Sequence, residues 1–130
     1  MDPIEKKLWE AAKKARENSY SPYSKYRVGA AILCGKRIYS GTNVENSSYG
    51  ATICAERSAV AQAISEGEKS IDAVLVVTEK PASPCGICRQ VLSEFCQDDT
   101  PVWLSSGSEI ADLYRFDELH PRGFKPSDLG

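Results

Sequence analysis

Cys54, Glu56, Cys85 and Cys88 are the residues of this chain whose types and spacing best suit chemistry. Cys54-Ala55-Glu56 opens one stretch of helical patterning and Pro84-Cys85-Gly86-Ile87-Cys88 opens another, so three thiols and a carboxylate can converge on one metal ion. Zinc held by three sulfurs keeps its fourth tetrahedral position for water. A carboxylate that is not itself a ligand can then move protons between that water and a substrate. Glu56 lies two residues after Cys54, badly placed to bind the same ion but within reach of the water. Three thiolates leave zinc with a net negative formal charge, which weakens it as a Lewis acid. Placing the thiols at helix starts offsets this, because unpaired N–H groups and the positive end of the helix dipole favour thiolate. His120 is the sole histidine, so sulfur must hold any zinc present. The alternative is a closed structural zinc with Cys34, Cys96 or His120 as fourth ligand.

The elements that must carry these residues follow from periodicity. Ile4, Leu8, Trp9, Ala12 and Ala15 recur at helical spacing and predict an amphipathic helix ending near Asn18, with Ser21-Pro22 as the stop. Arg27 to Leu33 and Lys36 to Val44 read as antiparallel strands joined by a hairpin turn at Cys34-Gly35. A helix from about Cys54 to Ser65 places Ala55, Ala59, Val60, Ala63 and Ile64 on its apolar side, and Glu66-Gly67 ends it. The apolar run from Ile71 to Thr78 suits a strand buried on both faces. A third helix is expected from Cys85 to Phe95 or Cys96, then strands over Pro101 to Leu104 and Ile110 to Phe116. Strands alternating with helices of this length predict an α/β domain with helices on both faces of one sheet.

The 130 residues fit a single domain, 1–130, large enough for a core without disulfides. With 42% hydrophobic and 26% charged residues the composition is ordinary for a globular protein, and no apolar run reaches the roughly 18 residues that span a bilayer. The start, Met1-Asp2-Pro3-Ile4-Glu5-Lys6-Lys7, lacks a secretory pattern, so the expected compartment is the cytoplasm. Five cysteines fit metal binding better than a disulfide framework, leaving Cys34 and Cys96 as buried thiols. The net charge of -2 argues against a nucleic-acid polymer as partner. Lys6, Lys7, Lys13, Lys14 and Arg16 alternate with Glu5, Glu10 and Glu17, which reads as a solvated helix face.

Four segments carry a wider likeness: Ser21-Pro22-Tyr23-Ser24-Lys25-Tyr26-Arg27-Val28-Gly29-Ala30-Ala31, Asn43-Val44-Glu45-Asn46, Cys54-Ala55-Glu56-Arg57, and Pro84-Cys85-Gly86-Ile87-Cys88-Arg89-Gln90. Through them the chain resembles the small homo-oligomeric cytidine deaminases of the three-cysteine type. The resemblance implies a three-layer α/β/α sandwich around a mixed five-stranded sheet and one zinc per chain on Cys54, Cys85 and Cys88. It also implies that Arg57 hydrogen-bonds the thiolate sulfurs and that Glu56 serves as general base and then general acid. Asn43 and Glu45 would hold the ribose hydroxyls, Tyr26 would lie beside the pyrimidine, and Ala55 would belong to the substrate site. Tyr49 and Phe124 would reach a neighbouring subunit's pocket in a homotetramer. The segment Leu119-His120-Pro121-Arg122-Gly123-Phe124 matches in part, with His120 at a position that the family fills with leucine.

The leading reading is hydrolytic deamination of cytidine and 2′-deoxycytidine to uridine and 2′-deoxyuridine, a step of pyrimidine salvage. A modified cytosine nucleoside is a second possible substrate, since blasticidin S deaminase also resembles this chain. Two readings belong to other classes. Cys85-Gly86-Ile87-Cys88 resembles a thioredoxin-type redox pair, and the same thiols would serve a zinc-stabilised binding module without turnover.

Overall fold

The computed structural model describes residues 2–130. Helix α1 (Pro3–Arg16) begins where the Asp2 side chain accepts a hydrogen bond from the Ile4 amide at 2.7 Å and Pro3 presets the first turn. It ends two residues before Asn18, because the amides of Glu17, Asn18 and Ser19 each bond the carbonyl three residues back and tighten the chain out of the helix. Strands β1 (Gly29–Cys34) and β2 (Arg37–Thr42) form the expected antiparallel hairpin. Its turn falls one residue later than expected, on Gly35-Lys36, since Cys34 still pairs with Arg37 and Gly35 takes a left-handed φ of 62°.

Strand β3 (Ala73–Val77) is buried at every position, as its unbroken apolar run predicts. It sits mid-sheet in the order β2-β1-β3-β4-β5, antiparallel to β1 and parallel to β4 (Pro101–Ser105). Strand β5 (Ile110–Arg115) pairs antiparallel with β4 at the far edge, so the sheet is mixed. Alternate residues of β3 feed two cores. Ala73, Leu75 and Val77 pack with Leu8 and Ala12 of α1, whereas Val74 and Val76 pack with helices α2 (Ala55–Ser65) and α3 (Gly86–Ser93) through Ala59, Val60, Ala63 and Leu92. The three expected layers follow. Each large aliphatic side chain so buried contributes about 1.5–3 kcal/mol.

Close seating of α2 on the hairpin fixes where the site residues project. A Cβ on Gly41 would lie 2.6 Å from the Ala59 amide nitrogen, so only glycine lets the helix approach this strand. The Ser58 hydroxyl then donates to the Thr42 carbonyl at 2.9 Å. Helix α3 stops at Ser93 rather than at Phe95 or Cys96, where two amides converge on the Leu92 carbonyl at 3.0 and 2.9 Å. Beyond β5 lies a short helix the periodicity does not reveal, α4 (Phe116–Leu119), whose start is fixed by the Arg115 amide donating to Glu118 at 2.8 Å.

Candidate metal centre and active site

Cys54 and Cys85 cap the N-termini of α2 and α3, and Cys88 lies in the first turn of α3. Neither cap uses its side chain to bond the helix, so both sulfurs are free to face each other. The three Sγ atoms all lie within 4.8 Å of one another, with Cys54 and Cys85 at 3.7 Å. Thiolates on a tetrahedral zinc at about 2.3 Å are about 3.8 Å apart, so the trio fits that ion. No further ligand joins the group among the described residues. Cys34 is buried in the core beneath α2 and α3, whereas Cys96, expected to be buried, is only half-buried against that core, and desolvation pushes the two thiols up to about 11 and about 12. His120 packs its ring 5.8 Å from that of Phe116. The closed structural site therefore finds no fourth ligand here.

The donor set itself calls for a cation. Cys54 is lowered to about 5, first by the hydrogen bond from the Cys88 thiol and then by Arg57 and Cys85. Cys88 moves the opposite way, because its proton is held against Cys54, it is buried, and Glu56 lies beside it. Such a trio keeps one negative charge easily and a second only with a divalent ion between the sulfurs. Arg57 donates from Nη2 to Cys54 Sγ and to the Thr52 carbonyl, each at 3.4 Å.

Glu56 is buried on the first turn of α2, and desolvation raises its carboxyl to about 7. A group that exchanges a proton near neutrality suits a carrier between water and a base. It lines a cavity of about 190 Å³ with Tyr26, Asn43, Cys54, Ala55 and Cys85. The wall also includes Val28, Thr52, Ile53, Val76, Thr78 and Ser83, which periodicity and motif spacing did not mark. Val76 and Thr78 mark the carboxyl end of β3, a position that only the folded sheet reveals. A larger cavity of about 550 Å³ lies elsewhere, between α3 and the C-terminal segment, and contains neither Glu56 nor any of the three clustered thiols.

Asn43 is nearly saturated. Its Oδ1 accepts from the Ser19 hydroxyl at 2.6 Å and the Val28 amide at 3.0 Å, while Nδ2 donates to the Tyr26 carbonyl at 2.7 Å, leaving one N–H. Glu45 accepts from the amides of Tyr23 and Ser24 at 2.9 and 3.1 Å and from the Ser24 hydroxyl, which holds its carboxyl below the ordinary range. These bonds brace the loop that carries Tyr26. Glu45, Tyr49 and Phe124 lie outside the cavity lining. Tyr49 instead packs edge-on against Tyr23 with ring centroids 5.8 Å apart, and Phe124 offers its carbonyl to Gln90 at 2.9 Å.

Comparisons with known proteins agree with this geometry. The cytidine and deoxycytidylate deaminase zinc-binding region matches residues 3–104. A cytidine deaminase of Sporosarcina psychrophila is 48% identical over 126 residues, which cover 95% of this chain and 93% of that protein. One from Halalkalibacterium halodurans is 43% identical over 125 residues, covering 94% and 95%. The crystal structure of a cytidine deaminase from Burkholderia pseudomallei superposes with a TM-score of 0.87 at 39% identity, covering 95% of this chain and 100% of that one. A thioredoxin-type role would place the Cys-x-x-Cys pair after the first strand, whereas here it follows β3 and shares its cluster with Cys54. The match spans well over half of the residues and both cysteine motifs, and the chain belongs to the zinc-binding family of cytidine and deoxycytidylate deaminases.

Proposed function

We propose that this chain hydrolyses cytidine and 2′-deoxycytidine to uridine and 2′-deoxyuridine with release of ammonia, as a step of pyrimidine salvage in the cytoplasm. The observation that carries the reading is the convergence of Cys54, Cys85 and Cys88 within 4.8 Å beside the buried Glu56. In this reading these thiols hold one zinc, which when bound makes water acidic enough to attack near neutral pH. Arg57 holds the Cys54 sulfur and draws off part of its charge. Glu56 accepts a proton from the attacking water and passes it to N3 of the pyrimidine as C4 becomes tetrahedral. It then moves the second water proton to the departing amino nitrogen, so ammonia leaves and the product keeps its proton on N3.

Recognition falls to the hairpin and its preceding loop. The remaining N–H of Asn43 and the remaining acceptor site of Glu45 are complementary to one ribose hydroxyl, which accepts from the first and donates to the second. A free base would leave both unpaired, so the nucleoside is the better substrate. Tyr26 stands beside the ring, and the Ala55 backbone completes the site floor. The cavity of about 190 Å³ falls below the roughly 300–1,000 Å³ of ordinary ligand pockets, in keeping with a homotetramer in which Tyr49 and Phe124 close a neighbour's pocket.

Loss of cytidine absorbance on incubation with zinc-loaded protein tests the reading directly. The expected result is stoichiometric uridine and ammonia, with blasticidin S turned over poorly beside it. A chain that holds zinc yet leaves cytidine intact would reject the proposal.

A further inference from the structure

We infer that Arg89 is a positioning residue for the metal ligands: it staples the turn carrying Cys85 and Cys88 to the C-terminal segment from Leu119 to Phe124, and so sets how firmly zinc is held. The inference rests on the ligand set proposed above. Arg89 follows Cys88 directly in α3. Its Nε donates to the Pro84 carbonyl at 2.8 Å, its Nη1 donates to the Leu119 carbonyl at 2.7 Å, and its amide donates to the Cys85 carbonyl at 2.9 Å. The backbone carbonyls of Cys85 and of the residue before it are thus both held by one residue. Gln90 adds a second stitch, from Nε2 to the Phe124 carbonyl at 2.9 Å.

The guanidinium is committed to this task. Among the described residues Arg89 forms no ion pair, and both side-chain acceptors are neutral carbonyls pointing in from different segments. A rigid fork of donors spans such a pair, whereas the single ammonium of lysine is a point donor and does not. Pro84 is buried, so its carbonyl loses its partner at a cost if Arg89 is removed. The strap on the other side is close-packed: a Cβ on Gly123 would lie 2.0 Å from the His120 ring. A side chain at position 123 must therefore push the His120 ring out of its place in the strap without touching Arg89, giving an independent way to disturb the segment that Arg89 holds.

Residues that orient metal ligands in this manner typically cost about 10–100-fold in metal affinity when replaced. The test is the rate at which the zinc-loaded, full-length protein surrenders its ion to a chromogenic chelator, compared with the melting temperature of each metal-free variant. Arg89→Gln, Arg89→Lys and Gly123→Ala are set against Leu8→Ala, a change in the core on the opposite face of the sheet that lowers stability by cavity formation. The expected result is zinc release about tenfold or more faster in all three strap variants, without rescue by lysine, while Leu8→Ala releases zinc at the wild-type rate. Arg89→Lys and Gly123→Ala, the milder pair, decide the matter if Arg89→Gln does not fold. Release that is unchanged, or that merely follows melting temperature across all four variants, overturns the inference and leaves the ligand set standing. A wild-type chain that binds no zinc overturns both.

Discussion

The floor of the cavity and its rim are built to different standards. On the floor, Ala55 is 0% exposed, Glu56 is 4% and Asn43 is 8%, and each is pinned by a helix start or a hydrogen-bonded strand end. In the proposed function the rim is Tyr26 of the cavity wall, 43% exposed, together with Phe124 and Tyr49, which lie outside that wall and are 55% and 75% exposed. The groups proposed to hold an ion or carry a proton are thus preorganised inside one chain. The large apolar faces around them are left uncovered, as surfaces awaiting a ligand or a neighbour are. The contrast predicts that floor substitutions strike the chemical step and that rim substitutions strike binding.

The largest expected effect is at the floor. Glu56→Ala should lower kcat by about 10⁴-fold, or roughly 5 kcal/mol, with zinc content unchanged by metal analysis. A variant with full zinc and a rate within tenfold of wild type would break the division between floor and rim. Next in size is the cost of burying the same carboxyl in the metal-free chain. Its pKa is raised from the ordinary 4.5 to about 7, so the folded state binds the proton more tightly than the unfolded state. The stability this lends is complete below about pH 4.5 and drains away as pH rises through 7. Urea unfolding in the presence of chelator should show Glu56→Gln gaining roughly 3 kcal/mol on wild type across that window. A flat difference would mean that water reaches the carboxyl and that the floor is not dry.

Glu45 stands between the two regions, bracing the loop through Tyr23 and Ser24 while keeping one acceptor site. Glu45→Gln should reduce kcat/KM for cytidine by about 30-fold, near 2 kcal/mol, because an amide N–H replaces the acceptor offered to the sugar. With 3′-deoxycytidine, which lacks the 3′-hydroxyl assigned to Glu45 because both proposed substrates carry it, the variant and wild type should differ little. Equal losses on both substrates would assign Glu45 wholly to bracing.

Much of this architecture was legible because its signals are periodic. A short apolar run suited a strand buried on both faces, and helical spacing in α1 and α2 marked the faces that meet it. The metal centre was legible for a related reason: thiols at two helix starts announce themselves by position, and the helices deliver them to one point. Hydrogen bonds to main-chain carbonyls leave no such trace. Nothing in the residue types shows that Arg89 reaches Leu119, thirty residues on, or that Asn43 spends its oxygen on Ser19 and Val28. Helix α4 escaped because four residues are too few for a period and its start depends on the Arg115 amide meeting Glu118 and on the Asp117 amide meeting the Asp98 carbonyl.

The smallest effect expected is also the one that separates a pocket closed by a single chain from one closed by several. Tyr49 touches its own chain through the edge of Tyr23 and otherwise faces solvent, so truncating it removes little from the folded monomer. If a neighbour's pocket receives that ring, Tyr49→Ala should raise KM for cytidine about fivefold, near 1 kcal/mol, and leave kcat alone. The same variant should dissociate into smaller species at a higher concentration than wild type when followed by sedimentation. A pocket complete within one chain makes the opposite prediction, with KM and assembly both unmoved. In that case the rim is ordinary surface, and the exposed aromatics take no part in recognition.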